Sequence, residues 1–128
     1  MATLQKVGDK AQCPIYMPKM RIGRAPDNEI IIEDDAVSGY HAVIHLTKAQ
    51  SKEGNETETY IIEDLGSTNK TFVNNKEITS HQLVEGDVIR LGRTRLKFSA
   101  KNYVPPKDDF QKTQKLSGNR LSNFFFPK

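Results

Sequence analysis

The sequence predicts an all-β domain, and two observations carry that expectation. Short runs rich in β-branched and aromatic residues recur between positions 13 and 98, separated by turn signals at close spacing. No segment of this body sustains a helical period over three turns. Cys13–Met17 forms the first run. The Ala25-Pro26-Asp27-Asn28 turn introduces the second, Glu29–Ile32, and Ala42–Leu46 follows. Glu53-Gly54-Asn55 separates these from Thr59–Ile62, and Asn74-Asn75 closes Thr71–Val73. Val88–Leu91 lies between Glu85-Gly86-Asp87 and the Leu91-Gly92-Arg93 turn. Arg95-Leu96-Lys97-Phe98 alternates cleanly, which sets one face in a core and the other in water. Many short strands so spaced predict an antiparallel sandwich or barrel.

Composition bounds the rest. With 128 residues the chain makes one domain with a single modest core. No stretch approaches the eighteen apolar residues of a membrane span, and the first residues lack the apolar core of a secretory leader, so no membrane is expected. The lone cysteine, Cys13, excludes an internal disulfide and a thiolate metal cluster and fits a reducing compartment. The expected location is the cytoplasm, or the nucleus if the source is eukaryotic. His45 and His81 have no second ligand at metal spacing, so neither a metal nor another cofactor is expected.

The net charge of +3 is unevenly spread. Residues 1–99 carry thirteen Lys/Arg against fourteen Asp/Glu, whereas residues 100–128 carry six against two. The basic character belongs to the tail, which argues against nucleic acid as the partner of the body. The expected organisation is an N-terminal arm over 1–11, a folded body over 12–100 and a basic, flexible tail over 101–128. Phe124-Phe125-Phe126 interrupts that tail and calls for a docking surface, either the body's own sheet or a partner.

Three clusters carry the chemistry: Gly23-Arg24, Ser38-Gly39-Tyr40-His41 and Gly66-Ser67-Thr68-Asn69, all in segments that read as loops. Arg offers a rigid fork of donors that matches phosphate. Ser and Thr hydroxyls add short donors, and an Asn amide can hold a peptide backbone from both sides. This inventory grips an oxyanion without breaking a bond. Ser38 lies on no nucleophile-elbow pattern, which argues against a hydrolase built on Ser38 and His41, so no enzyme is expected. The acidic run Glu33-Asp34-Asp35 reads most simply as a solvated loop.

The arrangement resembles the forkhead-associated (FHA) domain family. The resemblance rests on Arg21-Ile22-Gly23-Arg24, Asn28-Glu29-Ile30, Val37–Ala42, Glu63–Asn74 and Gly86-Asp87-Val88-Ile89-Arg90-Leu91-Gly92, in family order and spacing over about residues 12–99. It implies an SMAD/FHA-like antiparallel β-sandwich of about eleven strands that reads phosphothreonine through loops at one end. Such a module acts as a phospho-dependent adaptor in Ser/Thr kinase signalling.

By position, Arg24 would pair with the phosphate, Ser38 and Thr68 would donate hydroxyls, and Asn69 would hold the peptide backbone. Gly39, Tyr40, Ser67 and Lys70 are additional candidate contacts, and Gly23, His41 and Gly66 would be architectural. A phosphate near charge −2 requires such charge-assisted donors. The sequence departs from the family pattern at Lys70, where glycine is usual, and at Gly39, where relatives often carry Arg, Lys or Asn. Either the turn at Lys70 is distorted, or Lys70 itself takes the left-handed conformation and adds charge near the ligand. A phosphorylated Thr3 or Thr113 of the chain itself, or the C-terminal tail, is the alternative occupant, giving phospho-dependent self-association or autoinhibition.

Overall fold

A computed structural model describes residues 2–50, 52–54, 56–100 and 124–126. Among them twelve strands form two six-stranded sheets packed as a sandwich. The first sheet has the order β2 (Gln12–Pro14), β1 (Thr3–Lys6), β11 (Thr94–Ser99), β10 (Val88–Leu91), β7 (Thr71–Val73), β8 (Lys76–Ile78). The second runs β12 (Phe124–Phe126), β4 (Ile30–Ile32), β3 (Lys19–Gly23), β5 (Ala42–Gln50), β6 (Glu56–Asp64), β9 (Ser80–Gln82). Among the described residues no helix is long and apolar enough to cross a membrane.

The core lies between the sheets and is filled by the inward positions of each strand. Leu4, Ile22, Ile30, Ile44, Ile62, Ile89, Leu91, Leu96 and Phe98 are completely buried. β11 shows the alternation that its sequence predicts: Thr94, Leu96 and Phe98 face in, and Arg95 and Lys97 face water. Tyr60 meets Phe98 edge-on, with ring centroids 5.3 Å apart. Its hydroxyl donates to Glu58 and accepts from the Ala2 amide, and burial together with the Glu58 contact pushes the phenol up to about 12. Cys13 is a core residue, its thiol pushed up to about 12 by burial.

Two expectations are corrected, and one alternative is decided. The segment taken as an N-terminal arm, 1–11, supplies β1, an interior strand paired with β2 and β11. Four residues are enough because Leu4 fills the core opposite Phe98. Thr3 lies in this strand, nearly buried and in register with both Ser99 and Pro14, so it is not on a free arm that could reach a binding loop. Thr113 falls outside the described residues. The seven apolar runs correspond to β2, β4, β5, β6, β7, β10 and β11, and the fold adds β1, β3, β8, β9 and β12. The phenylalanine cluster docks on the domain's own sheet: β12 runs parallel to β4, and Phe126 is buried in the core.

The sandwich is antiparallel except around β4, which runs parallel to both β3 and β12. The β3–β4 pairing spans only two residue pairs, Ile22 with Ile30 and Gly23 with Ile31. A loop of six residues can therefore return the chain, and it carries Arg24. At the other end of β7, Asn74 and Asn75 adopt φ of 52° and 70°. Positive φ at both central residues is the signature of the two-residue turn whose twist suits a hairpin.

Candidate functional site

The site is assembled from three loops at one end of the sandwich: 24–29 between β3 and β4, 33–41 between β4 and β5, and 65–70 between β6 and β7. Its hub is the Ala36–Ser38 backbone. The Arg24 amide donates to the Ser38 carbonyl at 3.0 Å, and Arg24 Nε donates to the Val37 carbonyl at 3.0 Å. Those bonds fix the guanidinium stem and leave the terminal nitrogens of an exposed side chain for a ligand. The Ser38 hydroxyl oxygen accepts from the Thr68 amide at 3.0 Å, so its hydrogen remains to be donated. Asn69 Nδ2 donates to the Ala36 carbonyl at 2.8 Å, leaving Oδ1 and its second N–H. Arg24, Ser38, Thr68 and Asn69 are thus brought together, although the sequence separates them by up to 45 positions.

Gly23 is required by a close approach. A Cβ there would lie 2.1 Å from the Gly39 carbonyl oxygen, far inside any tolerable contact. That same carbonyl accepts from the Ala25 amide at 3.1 Å and from Asn28 Nδ2 at 2.8 Å. Asn28 Nδ2 also donates to the Ala25 carbonyl, so one completely buried amide ties two binding loops. His41, also completely buried, ties another pair. Its Nδ1 accepts from the Ser38 amide at 3.1 Å, and its Nε2 lies 2.9 Å from the Lys70 carbonyl. The backbone partners assign the neutral tautomer with hydrogen on Nε2. Both ring nitrogens are engaged by main chain.

Lys70 takes the left-handed conformation with φ of 66°, the second of the two alternatives open from the sequence. The left-handed conformation is accommodated by lysine itself, and the Lys70 side chain is exposed. Gly66, at φ 76°, relieves the same loop where a side chain would be strained. Gly39 has no need of its missing side chain, because a Cβ there would make only an ordinary 3.9 Å contact with Ala25. Tyr40 is half exposed and donates its hydroxyl to the Asp27 carboxylate at 2.8 Å, with Arg21 6.0 Å from its ring. The hydrogen bond to Asp27 holds the Tyr40 phenol above its usual range.

Two candidates are corrected. Ser67 is buried, and its hydroxyl donates to Asp64 rather than facing a ligand. Asp34 is not part of a solvated loop but is nearly buried. It accepts from the Ala36 amide at 2.9 Å, the Arg93 amide at 2.9 Å and the Thr94 hydroxyl at 2.8 Å. The structural roles of Asn28, Asp34 and Asp64 lie outside the expectations drawn from sequence.

Asp64 gathers four donors: the Ser67 and Thr71 hydroxyls on Oδ1, and the Gly66 and Ser67 amides on Oδ2. Burial alone would raise its carboxyl, but these hydrogen bonds outweigh that and hold it below the ordinary range. Asp34 shows the same balance. His45 and His81, isolated in sequence, each meet a carboxylate, Glu63 and Asp87, at 3.1 Å. Among the described residues no three metal-ligating side chains converge.

A two-sheet sandwich with polar side chains gathered on its end loops has the architecture of a β-sandwich recognition domain. The chain belongs to the FHA domain family, whose model matches residues 20–92. It is 37% identical over 92 residues to the glycogen accumulation regulator GarA of Mycolicibacterium smegmatis, covering 72% of this chain and 50% of that one. It is 36% identical over 83 residues to the oxoglutarate dehydrogenase inhibitor of Corynebacterium efficiens, covering 65% and 52%. A solved FHA domain described by its phosphothreonine-dependent interactions superposes with a TM-score of 0.66 at 30% identity, covering 80% of this chain and 98% of that one. The chain spans about half the length of these two curated relatives.

Proposed function

We propose that the protein is a non-catalytic reader of phosphothreonine in a partner protein, acting in the cytoplasm downstream of a Ser/Thr kinase. The supporting observation is the convergence of Arg24, Thr68 and Asn69 on the 36–38 segment that carries Ser38, with donor capacity left over on each. Arg24 engages the phosphate, the Ser38 and Thr68 hydroxyls complete its donors, and Asn69 holds the peptide main chain beside it. Lys70 and Tyr40 flank the ligand. The ties through the buried His41 and Asn28 and through Asp64 keep the loops in place before binding, which limits the ordering cost of capture. His41 is no general base for Ser38, since backbone groups occupy both of its nitrogens.

The regulators GarA and oxoglutarate dehydrogenase inhibitor support a regulatory role for the whole protein, in which phosphorylation decides which partner is held. Titration with one peptide in phosphothreonine, phosphoserine and unmodified forms tests the reading. Phosphothreonine binds in the micromolar range and the unmodified peptide does not. Loss of the Arg24 contact in Arg24→Ala, at about 1.5–3 kcal/mol for a charged hydrogen bond, weakens binding by about ten- to a hundredfold. Equal affinity for the unmodified peptide contradicts the reading.

A further inference from the structure

The outward positions of the first sheet form a cationic stripe with no part in the loop site. Arg90 on β10 stands directly opposite Arg95 on β11, and Lys97 follows Arg95 on the same face of that strand. Arg93, in the turn between the two strands, extends the stripe toward the end of the sheet. Like charges directly opposite on adjacent strands are destabilising; Arg90 is partly compensated by the Phe72 ring and the Gly92 carbonyl, whereas Arg95 and Lys97 are exposed. Among the described residues, the ion pairs are Arg21–Glu29, His45–Glu63, Lys48–Glu58 and His81–Asp87, and none involves these four cations.

Three of the neighbouring carboxylates are committed or peripheral. Glu85 accepts from the Ala100 amide and the Ser99 hydroxyl at the far end of β11. Glu77 lies on β8, beyond Phe72. Asp34 already accepts three hydrogen bonds. Arg93 and Arg95 also line a cleft of about 440 Å³ together with Lys6 and Glu33. The folded body as a whole is close to neutral, so this concentration of positive charge is local.

We infer that this face is a second docking surface, for an acidic segment of a partner polypeptide bound in extended form and independently of phosphorylation. Successive same-face side chains of an extended chain repeat at about 6.8 Å, and neighbouring strands lie about 4.8 Å apart. The stripe presents its cations at those two spacings, Arg95 to Lys97 along the strand and Arg90 to Arg95 across it. An acidic side chain between Arg90 and Arg95 removes their mutual repulsion. Single-stranded nucleic acid fits the face less well, because it requires exposed rings for base stacking. Phe72, the ring on this stripe, is capped by the Arg90 guanidinium 4.1 Å from its centroid.

Fluorescence anisotropy on the full chain tests the inference with a labelled peptide of alternating Glu and Ser. The controls are the same peptide with Gln for Glu, and an oligodeoxythymidylate. The acidic peptide binds and loses affinity by about tenfold in Arg95→Glu/Lys97→Glu, as expected for two exposed pairs turned repulsive. Arg95→Gln/Lys97→Gln gives a smaller loss, and Arg24→Ala gives none. Unchanged circular dichroism and thermal midpoint in the double variants show that the sheet is intact. Acidic-peptide binding that survives both double variants places it elsewhere, on the basic tail, and overturns the inference. So does equal binding of the Gln peptide, or preference for the oligonucleotide.

Discussion

Asp64 at one end of the sandwich and Asp87 at the other have the same task and different consequences. Asp64 takes four donors from the loop after β6 and from β7. Asp87 takes the Asn74 amide at 2.9 Å, the Val84 amide at 2.9 Å and His81 Nε2 at 3.1 Å. Each carboxyl is held below its usual range because hydrogen bonds outweigh the burial that would raise it. At the Asp87 end, Asn74 spends its amide on Asp87 and its carbonyl oxygen on the Val88 amide. At the Asp64 end, the neighbouring Arg24, Ser38 and Asn69 keep donors in reserve after tethering the loops. Tethering is a scaffold device common to both ends, and on the proposed reading binding capacity lies in what the tethers leave over.

Substitutions can break this comparison, beginning with the largest effect. Gly23→Ala forces a Cβ against the Gly39 carbonyl. It destabilises by about 3 kcal/mol or more, read as a lower urea midpoint, and removes phosphopeptide binding by displacing Arg24. Asp64→Asn and Asp87→Asn each cost about 1–3 kcal/mol through unpaired buried groups. Calorimetric titration then separates them: the first weakens phosphopeptide binding, and the second leaves it unchanged.

Acid acts on both ends together. Asp34, Asp64 and Asp87 have native values depressed below the unfolded value of about 3.9. Their stabilisation is complete above that value and is lost as pH falls through the lower native values. Urea midpoints measured from neutral pH downward therefore hold until about pH 4 and then fall. Lys70→Gly relieves a left-handed lysine and raises stability by up to about 1 kcal/mol. Gly39→Arg meets no obstruction and sets a cation beside the phosphate. It tightens binding by about two- to fivefold, the range of one exposed ion pair.

The strand-rich body and the four ligand candidates were legible because they rest on local signals. Alternation along β11, turn residues, and the separate short motifs that hold Arg24, Ser38 and the Thr68-Asn69 pair are each written within short windows. What escaped depends on distant partners. Thr3–Lys6 is a four-residue segment whose strand character comes from pairing with Ser99 and its neighbours, more than ninety positions away. Asp34 looked like one of three solvated acids until Arg93 and Thr94 came to it across the sequence. Ser67 sits in the binding motif, yet its hydroxyl turns inward because Asp64 competes for it.

The division between the two ends is tested most directly by following backbone amide shifts while a phosphothreonine peptide is titrated into the isotopically labelled chain. The account predicts that shifts concentrate in residues 23–25, 36–41 and 66–70 and leave 74–76 and 84–88 undisturbed. Shifts centred on the Asn74 and Asp87 loops, or scattered evenly over both ends, would contradict it.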